Sequence, residues 1–299
     1  MTAASASPGP VAAWYRAARP RTLGASLVPV LVGSAVAHAQ GGLRPGVGLA
    51  CAAAALLLQI AANWANDAQD FLAGVDTGAR RGAPRASQSG WLRPQALLRG
   101  AVLAVAVAAA IGAWLVSVGG LPILVVGLLA CAAALGYAGG PFPLAAHGLG
   151  EVAAFVFFGV VAVAGTSYLH AGTVSGLALA ASVPVGALVT GIMVVNNLRD
   201  RETDAAAGRR TLAVRWGERL TRALFAVLLV SAFVAPPLLW LALGTGPWVM
   251  TSLVAAPLAV GAWRSLRGAH DGAAFEAALG GVARLHAAFG ALFAVGLAS

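Results

Sequence analysis

The 299-residue chain contains no lysine, and charged residues of every kind make up only 10% of it. A soluble domain carries about 25% charged and 45–50% apolar residues, whereas this chain is 60% hydrophobic with a mean hydropathy of +0.84. So little charge cannot cover a water-facing surface, which excludes a soluble globular domain. Cysteine is equally scarce. Cys51 and Cys131 stand far apart in apolar runs, fit neither a disulfide framework nor a metal-ligand spacing, and read as packing residues. A cleavable leader is not expected either: residues 1–21 are polar and Pro-rich, and the apolar run 22–39 lacks a small-residue cleavage site in a polar context. What is present in excess is arginine, 19 residues against ten acids, for a formal charge of +9. An excess of that size would suit a nucleic-acid partner, so the placement of the arginines has to decide.

A bilayer core of about 30 Å takes roughly 20 helical residues. Laid along the sequence, that length marks nine segments: 22–39, 46–66, 97–117, 120–138, 150–169, 173–197, 221–243, 246–263 and 276–298. Gly41-Gly42, Gly119-Gly120 and Gly139-Gly140-Pro141 supply breaks between them. The expected fold is an all-α polytopic membrane bundle of about nine transmembrane helices: a cytoplasmic N-terminal segment over 1–21, then one domain over 22–299. With the N-terminus inside, 18 of the 19 arginines fall in cytoplasmic segments and only Arg44 lies opposite. That asymmetry is the positive-inside pattern. The net charge therefore reports orientation in a cell membrane, with the C-terminus outside, and no nucleic-acid partner is expected.

The connections are unequal. Links on the outer side are short, whereas 67–96 and 198–220 are long and polar, and six of the ten acids sit at their starts: Asp67, Asp70, Asp76, Asp200, Glu202 and Asp204. If the second helix continues past Asn63, then Asn63, Asn66 and Asp70 share a face at i, i+3 and i+7. Asn196, Asp200 and Asp204 do the same at i, i+4 and i+8. Like charges this close repel unless something positive lies between them. Carboxylate and amide oxygens suit Mg²⁺, which takes one or two carboxylates and completes its octahedron with water and phosphate. With Arg80, Arg81, Arg209 and Arg210 alongside, the two stripes describe a metal-bridged diphosphate site, the planar guanidinium gripping phosphate oxygens in pairs. The bland reading is solvated helix ends paired with nearby arginines. Two clusters sharing Asn-x₃-Asp on one membrane face favour the metal site. A secondary transporter would place ionisable groups near mid-membrane, whereas the expected span centres are nearly free of charge.

Several stretches together resemble the UbiA superfamily of membrane-embedded aromatic prenyltransferases: Arg19-Pro-Arg-Thr22, Asn66-Asp-Ala-Gln-Asp70 through Gly74-Val-Asp76-Thr77, Ser87-Gln-Ser-Gly90, Gly136-Tyr-Ala-Gly-Gly-Pro141, Gly148-Leu-Gly-Glu151, and Asn196-Asn-Leu-Arg-Asp200 through Gly208-Arg-Arg-Thr-Leu-Ala213. They run from residue 19 to about 217, and the last three spans resemble the family only in being spans. Gly74-Val-Asp76-Thr77 and Asn196-Asn197 are most similar to the 1,4-dihydroxy-2-naphthoate polyprenyltransferase branch. The resemblance implies a nine-helix fold, a polyprenyl diphosphate donor, an aromatic acceptor, Mg²⁺, and demethylmenaquinone, CO₂ and diphosphate as products. It implies that Asn66, Asp70, Asp76, Asn196, Asp200 and Asp204 hold the metal, with Asn66, Asp70, Asp200 and Asp204 catalytic, and that Arg19, Arg80, Arg81, Arg209 and Arg210 grip the diphosphate. The ubiquinone-type branch usually has a lysine where Pro141 stands here, which favours the naphthoate branch. Phe142 and His147, however, occupy positions where that branch commonly has Lys or Arg, so another aromatic acceptor stays open. Tyr137, His147 and Glu151 are acceptor-side candidates. A helix-end tyrosine is equally a common interfacial anchor, and an acid at a helix start is favourable without any chemistry.

Overall fold

The computed structural model describes residues 8–75 and 82–299. Eleven α-helices follow one another: α1 (Pro10–Ala17), α2 (Gly24–Ala39), α3 (Pro45–Leu72), α4 (Pro94–Gly119), α5 (Leu121–Gly136), α6 (Gly150–Ala154), α7 (Ala162–Ala171), α8 (Gly176–Ala206), α9 (Leu212–Leu243), α10 (Ala256–Arg267) and α11 (Gly272–Ala298). A seven-residue π-helical turn, Phe155–Val161, joins α6 to α7 into one span, and a 3₁₀ stretch, Pro247–Ala255, leads into α10. Among the described residues, seven helices are long and apolar enough to cross a membrane. The bent pair Pro10–Thr22 and Gly24–Ala39 makes an eighth, and Leu121–Gly136 is a shorter apolar helix. The protein is an integral membrane protein, and each of the nine apolar segments marked in the sequence corresponds to one of these helical stretches.

The helices differ from the bilayer ruler at one end of the bundle. α3 runs on to Leu72, α8 to Ala206, and α9 begins at Leu212, so most of 198–220 and the start of 67–96 are helical. Hydropathy falls at Asn63 and Asn196, but nothing there breaks a helix. α3 stops only where Gly74 takes a left-handed φ of 69°. α9 carries a break of its own at Gly217, whose φ of 72° no β-carbon would favour.

α8 is the axis. In its most apolar window 78% of residues are buried, against 17–44% for the other spans. One core joins α8 to α2, α7, α9, α10 and α11, with Phe225, Phe289 and Phe293 fully buried. Without a hydrophobic drive between helices in lipid, close approach has to come from small residues. At Gly159, in the π turn, a β-carbon would lie 2.7 Å from the Cα of Gly186 on α8. Arg222 ties α9 to the end of α10, donating to the carbonyls of Leu266 and Ala269. α1 packs on α3 through Trp14 and Trp64, whose ring centroids are 4.7 Å apart.

Candidate active site

The extended ends of α3 and α8, the start of α9 and the turn before α2 surround a polar cavity of about 190 Å³. Of the residues expected from the sequence, Asn66, Asp70, Asn196, Asp200, Asp204, Arg19, Arg209 and Tyr137 line it. Helical phase explains the convergence, since Asn66 and Asp70 are one turn apart on α3 and Asn196, Asp200 and Asp204 are successive turns of α8.

Asp70 is paired with two arginines. Its Oδ2 lies 2.6 Å from Arg85 Nη1, and its Oδ1 accepts from Arg209. Arg209 also approaches Asp204, at 3.7 Å, so a single guanidinium bridges the two acidic stripes. Arg199 forks onto Asp200 with bonds of 2.9 and 2.7 Å. Neither Arg85 nor Arg199 was among the candidates from sequence. Arg85 lies two residues before Ser87-Gln-Ser-Gly90, and Arg199 lies inside the second acidic motif, so their positions offered a signal that the count of flanking arginines passed over.

Arg85 is placed by Asp67. This buried carboxylate accepts the backbone N–H of Ala86 at 2.8 Å and of Ser87 at 2.9 Å, pinning the turn that follows Arg85. Arg85 in turn donates to the Asn66 carbonyl at 2.9 Å. Asn63, which shares a helix face with Asn66 and Asp70, has a scaffolding role: its Nδ2 donates to Ala18 O at 2.8 Å and to Thr22 Oγ1 at 3.3 Å. These bonds hold the chain where Arg19 takes a left-handed φ of 52°, a conformation costly for a residue with a side chain and held by its surroundings.

Asn66 Oδ1 is buried and makes no hydrogen bond. A buried, unpaired amide oxygen is costly unless something binds it. Among the described residues no three His, Cys, Asp or Glu side chains form a metal-binding group by themselves. The donor set is amide and carboxylate oxygens spread around a cavity, which fits a Mg²⁺ ion that completes its shell with water and substrate oxygens.

The remaining candidates fall elsewhere. Asp76, Arg80 and Arg81 lie outside the described residues. Arg210 is exposed and does not line the cavity; its backbone N–H bonds Ala146 O at 2.9 Å. His147 is also outside the cavity, stacked on Phe142 at 3.9 Å with Nδ1 donating to Pro143 O. Glu151 is buried behind the wall, where its Oε1 accepts from Asn197 Nδ2 at 2.8 Å. Tyr137 donates to Met193 Sδ at 3.2 Å.

A second cavity, about 390 Å³ and walled almost entirely by apolar side chains, lies among α2 to α7. Gln59, Tyr137, Phe158 and Met193 belong to the walls of both cavities. The polar end therefore abuts an apolar one, with the Gln59 amide at the boundary, its Nε2 3.3 Å from Asn63 Oδ1 and its Oε1 buried without a partner.

An all-helical membrane bundle with arginines and carboxylates at one end of an apolar cavity has the form of an enzyme acting on an amphiphile. The chain belongs to the UbiA prenyltransferase family, whose model matches residues 26–292. It is similar to the 1,4-dihydroxy-2-naphthoate octaprenyltransferase of Mycobacterium tuberculosis, 40% identical over 87% of this chain and 88% of that one. It is also similar to the enzyme of that name from Escherichia coli, 35% identical over 83% and 82%. Among solved structures, a UbiA homolog from Aeropyrum pernix K1 superposes with a TM-score of 0.73 at 18% identity, covering 93% of this chain and 98% of that one. A UbiA homolog from Archaeoglobus fulgidus bound to DMAPP and Mg²⁺ gives 0.60 at 16% identity, covering 94% and 99%. The protein is a membrane prenyltransferase.

Proposed function

We propose that the protein transfers a polyprenyl group from polyprenyl diphosphate to 1,4-dihydroxy-2-naphthoate. The observation that carries this reading is the junction of the two cavities, a charged end for the diphosphate meeting an apolar one for the tail across Gln59, Tyr137, Phe158 and Met193. The names of the Mycobacterium and Escherichia relatives support the acceptor. In this reading Asn66, Asp70, Asp76, Asn196, Asp200 and Asp204 hold Mg²⁺, and Mg²⁺ supplies charge neutralisation of the departing diphosphate. Arg19, Arg80, Arg81 and Arg209, joined by Arg85, orient the diphosphate oxygens and take up the charge that grows on them as the allylic C–O bond breaks. The electron-rich ring forms a bond to C1 of the prenyl chain, the carboxyl leaves as CO₂, and its bonding electrons return to the ring. No oxidation occurs, so the immediate product is the quinol form of demethylmenaquinone. The Tyr137 hydroxyl and the Gln59 amide face the junction where ring and allylic carbon meet. Glu151 acts through Asn197. The arginine-rich end faces the cytoplasm.

Membranes containing the protein, given Mg²⁺, a polyprenyl diphosphate and 1,4-dihydroxy-2-naphthoate, should yield a prenylated, decarboxylated product by mass spectrometry. Product from another phenol but none from the naphthoate would refute the acceptor assignment while keeping the reaction class.

A further inference from the structure

Arg199 serves more than Asp200. Its Nη1 lies 2.5 Å from Glu276 Oε1 on α11, a helix with no residue in the wall of the polar cavity among the described residues. The same Glu276 oxygen accepts the backbone N–H of Ala83 at 3.2 Å. The chain at Gly82 lies close against the guanidinium, where a β-carbon would sit 2.8 Å from Cζ. One arginine thus joins the second acidic motif, the chain returning from the first motif, and the last helix.

We propose that Glu276 is a positioning residue for the metal site: by sharing Arg199 with Asp200, it weakens the hold of Arg199 on Asp200 and leaves that carboxylate more available to a divalent cation. This rests on the reading of Asp200 as a metal ligand. The physical reason is charge balance. Arg199 is 7% exposed and carries one positive charge between two carboxylates, Asp200 at 18% and Glu276 at 28% exposure. In a poorly solvated place the competition between an arginine and a cation for one carboxylate is strong. A second carboxylate on the arginine divides its pull and adds negative potential for the cation, and both effects favour binding.

Glu276→Gln tests this while keeping the shape and an acceptor for Ala83. The readout is the Mg²⁺ concentration giving half-maximal thermal stabilisation of the purified full-length protein in the presence of geranyl thiolodiphosphate, an unreactive donor analogue. The Gln variant should require about tenfold more Mg²⁺, equivalent to about 1.4 kcal/mol. Glu276→Asp, which retains the charge, should remain near wild type, a rescue that a purely space-filling role would not produce. Glu276→Ala is the second neutral variant should the Gln protein fail to insert, and it shifts in the same direction. An unchanged Mg²⁺ requirement in the neutral variants, with stabilisation abolished in Asp200→Ala, overturns the role of Glu276 and leaves the metal site standing. Normal Mg²⁺ stabilisation in Asp200→Ala overturns the metal-site reading itself, and this inference with it.

Discussion

Asp70→Asn separates the chemistry of the charged end from its contribution to folding. The replacement keeps the volume of a side chain that is 4% exposed and removes only its charge. Asp70 is bonded by Arg85 and Arg209, so breaking a buried pair here would cost about 3–5 kcal/mol if both guanidiniums were left stranded. They are not: Arg85 keeps the Asn66 carbonyl at 2.9 Å, Arg209 keeps Asp204 at 3.7 Å, and the new amide oxygen still accepts one bond. The structural loss then falls to about 1–3 kcal/mol, within the margin of a folded bundle. Turnover should suffer far more. In the proposed reaction Asp70 acts through the Mg²⁺ it would hold and the two arginines it orders, and disturbing groups that meet developing charge commonly lowers kcat by about 10²–10³-fold. The assay is prenyl transfer by protein purified in detergent, at saturating Mg²⁺ and donor, beside a melting curve of the same sample. Activity within about threefold of wild type in a correctly folded sample would refute the argument that this carboxylate serves the reaction.

Asp67→Ala, three residues away, should behave in the opposite manner. It strands the N–H groups of Ala86 and Ser87, costing about 2–6 kcal/mol, so a clear fall in melting temperature is expected, with weakened donor binding as Arg85 loses its footing. An unchanged melting curve would contradict the assignment of Asp67 as scaffold. Gly159→Ala should force the π turn away from Gly186, destabilising the bundle by about 1–3 kcal/mol, measured by thermal denaturation in detergent; a neutral result would contradict that helix contact. Gly127 lines the apolar cavity with open space where a β-carbon would stand, so Gly127→Phe should shorten the donor that fits. Competition between long and short prenyl diphosphates should shift toward the short one, and unchanged selectivity would remove this cavity as the tail site.

The spans were legible because the bilayer acts on mean hydropathy over some twenty residues, a property local to each segment. That the α3 and α8 candidates would face one cavity was legible for a similar reason: Asn66 with Asp70, and Asn196 with Asp200 and Asp204, line up by helical phase alone. What escaped the sequence was pairing over distance. Arg199 finds Glu276 across 77 positions, and no periodicity connects the last helix with the second acidic motif. The helix ends escaped too, because falling hydropathy marks where the membrane stops but only Gly74 marks where α3 stops. His147, an acceptor-side candidate by its place in the loop, stacks on Phe142 and is not in the cavity wall, a placement that no local pattern announces.

The shared wall of the two cavities has a consequence for traffic. In the proposed reaction the donor is an amphiphile lying across that polarity boundary, and transfer cuts it close to the boundary. The diphosphate released in that reaction is a water-soluble anion, while the prenyl chain has given up its charged head and the acceptor its carboxylate, so the joined product is driven toward lipid. Diphosphate and prenylated ring are thus sent toward different phases, so the position of the cut makes the proposed reaction its own separation step.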